Sequence, residues 1–174
     1  MKRFLFFFLV LISCDSGSEN SNNLSSDETK IDLVTGIILK QSISGPSILL
    51  GNPNTFDDNL LIFPNPPIDA IFVEQTENLP ISEIWIVPAV EEKLFQSVDF
   101  STILNSELYT DVMLDSSSQI KIDNLQSSNI TIDLSNLSTG YYRLFVKVEG
   151  GLFWSNIYLN RDGIAIEELT DFWN

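Results

Sequence analysis

From Ile31 onward, apolar and polar residues alternate in short runs, and turn-forming residues separate the runs. A two-residue period belongs to extended chain, which sends successive side chains to opposite faces. Repeated short runs of this kind predict an all-β domain. The predicted strands are Ile31–Gln41, Ser47–Leu50, Leu60–Phe63, Ile68–Gln75, Ser82–Val87, Gln119–Asp123, Asn129–Leu134, Tyr141–Glu149 and Leu152–Asn160. The alternation is clearest in Tyr141–Glu149. There Tyr142, Leu144, Val146 and Val148 share one face, and Arg143, Lys147 and Glu149 share the other. That pattern predicts a half-buried antiparallel strand with its charged side in water. Gly150-Gly151 supplies the positive φ of a tight hairpin turn, from which Leu152–Asn160 returns.

The pattern breaks in three places. Phe63-Pro64-Asn65-Pro66-Pro67 cannot form a central strand, because proline donates no ladder hydrogen bond; it predicts a rigid crossover. Ala89–Asp115 shows no clear period. Asp99 is placed to cap a short helix through Leu104, and the alternative is a long loop. The tail Ile164–Asn174 suits one or two helical turns, with Leu169, Phe172 and Trp173 packing back on the domain.

The N-terminus follows another rule. Met1-Lys2-Arg3 is basic, Phe4 to Ile12 is unbroken apolar sequence, and Ser13 is small. These are the three parts of a secretory signal, and the apolar run is well short of the roughly 20 residues of a spanning helix. Cys14 follows at once and is the only cysteine. Leu11-Ile12-Ser13-Cys14 resembles the lipobox of bacterial lipoproteins. The resemblance implies cleavage after Ser13 and a diacylglycerol on Cys14; the alternative is a plain secretory peptide with a chance cysteine. Residues 14–30 are rich in Ser, Asn, Asp and Glu and cannot bury enough surface to offset ordering entropy, so they predict a flexible tether. The expected organisation is a leader at 1–13, a lipidated tether at 14–30 and a β domain at 31–174. The expected location is the cell envelope, through lipidated Cys14 in the outer membrane, with the periplasmic or surface face left open.

Charge narrows the partners. The chain of 174 residues has 24 acidic against 9 basic residues, and Lys2 and Arg3 leave with the leader. Nucleic acid is excluded as a partner, because its phosphates need cationic neutralisation. There is no histidine, which removes the usual general base and the commonest transition-metal ligand. With the thiol taken by lipid, catalysis would rest on carboxylates, lysine or tyrosine.

Two stretches carry a family resemblance. One is Phe63-Pro64-Asn65-Pro66 followed by Ile68–Val73, and the other is Ile132-Asp133-Leu134-Ser135-Asn136-Leu137-Ser138-Thr139-Gly140-Tyr141-Tyr142 running into the last hairpin. Over residues 60–161 the chain resembles the C-terminal sorting domain of type IX secretion cargo in Bacteroidetes. The resemblance implies an immunoglobulin-like antiparallel β-sandwich of about seven strands. The acidic, aromatic tail Gly163–Asn174 stands where that family ends in basic residues.

Candidate chemistry is sparse. Gly51–Asn59 clusters oxygen-bearing side chains suited to Ca²⁺, although Asn, Asp, Gly and Pro are equally plain turn formers. The adjacent acid pairs Asp57-Asp58, Glu91-Glu92 and Glu167-Glu168 make no natural dyad, because strand neighbours point apart. No catalytic residue, metal ligand set or cofactor is assigned. Phe145, Phe153, Trp154 and Tyr158 form the candidate binding surface, for an envelope protein or a glycan, if Phe145 and Phe153 face outward together. The expected function is a non-enzymatic, membrane-anchored envelope lipoprotein presenting a binding or structural module. The alternatives are a type IX sorting module and a carboxylate-dependent glycan-active enzyme.

Overall fold

The computed structural model describes residues 27–174. The expected leader, Cys14 and most of the expected tether lie outside the described residues.

The period-2 sequence at the C-terminal end produces the longest strands, β10 (Gly140–Val148) and β11 (Gly151–Leu159). Val148 pairs with Gly151, so the loop is Glu149-Gly150, one residue earlier than the sequence suggests. Gly150 has φ +102° and Gly151 +158°, and the first of these is a region closed to most side chains. β6 (Ile81–Pro88) pairs with the other side of β10, and β8 (Ile120–Ile122) pairs with β6. The result is a four-stranded antiparallel sheet in the order β11-β10-β6-β8.

A three-stranded antiparallel sheet faces it, in the order β4 (Leu60–Phe63), β5 (Ala70–Gln75) and β9 (Asn129–Asp133). Ile71, Val73 and Ile132 from this sheet meet Ile84, Ile86, Leu144, Val146 and Ile157 in one core. Burying each such side chain contributes roughly 1.5–3 kcal/mol. The domain is therefore mostly β, with two sheets packed face to face.

Two ribbons complete it. β2 (Gly36–Lys40) and β3 (Ser47–Gly51) form an antiparallel pair; β1 (Leu33–Val34) and β7 (Val90–Glu91) form a parallel one. The run Ile31–Gln41 is thus two strands rather than one. It breaks at Thr35, whose N–H turns to Asn54 Oδ1 and whose hydroxyl donates to the Asn52 carbonyl. Gly36 then allows β2 to approach β3: a Cβ there would lie 2.5 Å from the Leu50 oxygen.

The charged face expected on β10 is only partly in water: Glu149 is exposed and Lys147 partly so, but the middle of the strand is covered. Arg143 and Phe145 are completely buried. Phe100, Leu104, Tyr109 and Leu114 cover them, packed with Trp85, Val87, Leu152 and Trp154. Asp99 does cap, but only a single 3₁₀ turn, Phe100–Thr102. A further helix, α1 (Asp111–Ser117), starts at Thr110, whose hydroxyl accepts from Met113 N–H. The four-stranded sheet therefore has both faces covered.

The tail forms α2 (Ile166–Trp173). Leu169 and Trp173 pack with Ile37, Leu39, Leu50, Tyr141 and Tyr158. Phe172 stays 38% exposed, contrary to expectation. No helix among the described residues is long and apolar enough to cross a membrane.

Candidate functional site

β10 aims Arg143 at the covering layer, where no carboxylate hydrogen-bonds it, although Asp32 is near enough to favour its charge. Its Nη1 donates to the carbonyls of Lys30 (3.1 Å) and Ile31 (3.2 Å) and to the Tyr109 hydroxyl (2.9 Å). Its Nη2 donates to the Asn54 carbonyl at 3.1 Å. The rings of Tyr109, Phe145 and Trp154 lie 5.2, 5.2 and 5.6 Å from the guanidinium carbon. Burial pulls the proton affinity of Arg143 down, yet a guanidinium stays charged in proteins. Carbonyl dipoles and ring faces therefore take the place of a counter-ion.

The loop Gly51–Asn59 serves this centre. Asn54 Oδ1 accepts from Thr35 N–H and Asn156 Nδ2, its Nδ2 donates to the Leu33 carbonyl, and its own carbonyl accepts from Trp154 Nε1. Asn52 Nδ2 donates to the carbonyls of Phe95 and Val98. Both amides are engaged in tying loops together. No group of three or more acidic, histidine or cysteine side chains among the described residues is arranged to hold a metal.

The four candidate aromatics do not make one exposed patch. Phe145 and Trp154 are completely buried, Tyr158 nearly so, and Phe153 is half-buried. Register explains why. Phe145 lies opposite Trp154 and Phe153 opposite Val146, so the two phenylalanines point to opposite faces. Phe153 stacks on Phe56 at 5.5 Å.

Several cavities open at the surface among the described residues. One of about 210 Å³ lies between the β2–β3 ribbon and β4, lined by Lys40, Asp57, Asn65 and Ser155 among others. Burial raises the Asp57 carboxyl above its ordinary value, while hydrogen bonding with Ser155 and Thr55 works against the shift. A second cavity, of about 330 Å³, includes Asp58 and Asp99, both exposed. A third, of about 390 Å³, lies beside α2 and includes Glu91, Tyr141, Tyr158 and Glu168. Burial pushes the Tyr141 phenol up, and its oxygen accepts from Trp173 Nε1 at 3.1 Å.

The residues behind the family resemblance have defined work. Phe63-Pro64 and Asn65-Pro66 are both cis. Between them, buried Asn65 donates from Nδ2 to the carbonyls of Ile38 and Asn156 and accepts at Oδ1 from Tyr158 N–H. Tyr142 donates its hydroxyl proton to the Ser138 carbonyl at 2.8 Å. The alternation puts Arg143 on the solvated face of its strand and gives it no role. The available signal was the run of aromatics, Trp85, Phe145 and Trp154, on positions that a half-buried sheet would give to polar residues.

Comparison with models of known families, with curated proteins and with solved structures finds no match.

Proposed function

We propose that this chain is a non-enzymatic lipoprotein of the cell envelope, anchored through Cys14 in the outer membrane. It presents an immunoglobulin-like β-sandwich of about seven strands as a binding or structural module. The observation that carries the proposal is the grip of Arg143 on Lys30 and Ile31. The polar spacer ends at Lys30, and there the backbone is fastened to the central strand of the sheet. A domain held on a lipid needs such a junction, because any pull on the tether arrives there.

The finer fold reading rests on the sheets of four and three strands and on Tyr142 reaching back to Ser138. A tyrosine near the start of a late strand, bonded to backbone a few residues upstream, is a recurrent feature of such sandwiches. The non-enzymatic reading rests on the missing histidine and the lipid-capped thiol.

Metabolic labelling with a radioactive fatty acid tests the anchor, with Cys14→Ala as control. Label on wild type alone supports the proposal, and no label on wild type removes it. Protease treatment of intact cells then assigns the face. The second reading, a type IX sorting module, is favoured by the structural roles of Asn65 and Tyr142. A reporter fused to residues 27–174 and left in the periplasm of a competent strain would count against it.

A further inference from the structure

We propose that β3 is a self-association edge, and that two copies of this chain pair there, strand against strand, in an antiparallel two-fold arrangement. Among the described residues β3 has one strand neighbour, β2, and no strand pairs with its other side. Alternate N–H and C=O groups along an edge strand point away from the sheet. Those of Ser47–Leu50 find no other backbone partner among the described residues. The side chains are apolar on both faces: Ile48 is 54% exposed and Leu49 is 63% exposed. Ile166 on α2 lines the same apolar pocket as Ile48, and Ile43 in the β2–β3 turn is also exposed. Edge strands are usually protected by an inward charge, a lysine, a proline or a bulge. Ser47–Gly51 has none of these.

Charge selects the occupant. No Asp or Glu occurs from Leu33 to Phe56, the longest acid-free stretch of a chain with net charge −15. A basic partner would be drawn to the acids, which this ribbon lacks. Hydrocarbon would leave the N–H and C=O groups of the strand edge without hydrogen-bond partners. The segment 15–26, with Leu24 as its one large apolar residue, offers nothing to match two apolar faces. A second copy meets every requirement. It supplies the same edge, sets Leu49 opposite Leu49 and Ile48 opposite Leu50 in one two-fold register, and approaches where carboxylates are absent.

The full chain, purified in mild detergent, is examined by sedimentation over a concentration series at two salt levels. The expected result is a monomer–dimer equilibrium that strengthens several-fold from about 0.05 M to about 0.5 M NaCl, as screening relieves repulsion between two acidic bodies. Leu49→Lys is expected to weaken it at least tenfold, and Leu94→Lys, an equal charge change at another exposed site, to leave it unchanged. Amide exchange at Ser47–Leu50 should slow as concentration rises. A monomer under all conditions, a dimer indifferent to Leu49→Lys, or association weakened by salt would each overturn the proposal.

Discussion

Arg143 holds the Lys30 carbonyl at 3.1 Å, which ties the middle of β10 to the backbone just before β1. The same side chain gathers Ile31, Asn54 and Tyr109. None of its partners is anionic, and the positive charge is held by dipoles that are themselves fixed by Asn54 and Asn156.

Arg143→Ala is expected to destabilise the domain by about 3–5 kcal/mol, from lost packing together with stranded carbonyls. Arg143→Met should cost less, because it keeps the packing and removes a buried charge along with its desolvation penalty. Urea denaturation of both variants gives the order. If Met proves as costly as Ala, the hydrogen bonds outweigh the volume. Hydrogen exchange at Ile31–Val34 should rise in both variants.

Two aspartates should respond to pH with opposite sign. Asp57 is raised from its ordinary 3.8 by burial, so its charged form costs stability at neutral pH. That cost fades as pH falls through the raised folded value and is gone below the unfolded one. Asp57→Asn is therefore expected to raise Tm at pH 7 and to have little effect near about pH 3. Asp115 is lowered from 3.8, first by Lys121 and then by Trp85, whose Nε1 donates to it at 2.7 Å. Its contribution is present above the unfolded pKa and is lost as pH falls through the depressed folded value. Asp115→Asn should lower Tm at pH 7 and converge on wild type in strong acid. Paired melting curves of the two variants read both signs.

The β10–β11 hairpin was legible because its period of two runs unbroken to a glycine turn. The same period misled about exposure. Alternation shows which residues share a face, but not whether anything covers that face. Arg143, Lys147 and Glu149 looked like a solvated row. Arg143 instead lies under Tyr109, and Lys147 pairs with Asp111 of α1 and with Glu83. The covering layer comes from 92–118, where short apolar residues fall at irregular intervals and helix propensity is weak. Thr35 was equally hidden. The break in Ile31–Gln41 is made by Asn52 and Asn54, distant residues that offer Thr35 better partners than a strand neighbour would.

α2 should be essential to the ribbon beneath it. Trp173 is buried against Leu50 and Tyr141, and the Gly51 Cβ position lies only 2.6 Å from its ring. Trp173→Ala is expected to cost about 3–5 kcal/mol, and Trp173→Phe less. Gly51→Ala should also destabilise, because φ is +67° and the added methyl meets the indole. Thermal melts of the three variants check this, with tyrosine absorbance reporting the loss of the Trp173 donor to Tyr141.

The stretch 60–161 supplies the whole core between the two sheets, but residues before and after it build a second buried cluster against Tyr141 and Tyr158. Leu33, Val34, Ile37, Leu39 and Leu50 are all buried and all precede it. At roughly 1.5–3 kcal/mol each, these five side chains carry about 7–15 kcal/mol of burial. That range is as large as the whole stability of an ordinary domain, about 5–15 kcal/mol. Deleting them also removes Ile31, Asn54 and Ile38, partners of Arg143, Trp154 and Asn65. A fragment of residues 60–174 is therefore expected to be unfolded, with collapsed amide dispersion in NMR and no cooperative melt, whereas residues 27–174 should fold. If the short fragment melts cooperatively, the N-terminal ribbon is an accessory and the junction at Arg143 bears no structural weight. If it does not, the backbone held by Arg143 at Lys30 and Ile31 and the core between the sheets are one structure, and neither can be changed without the other.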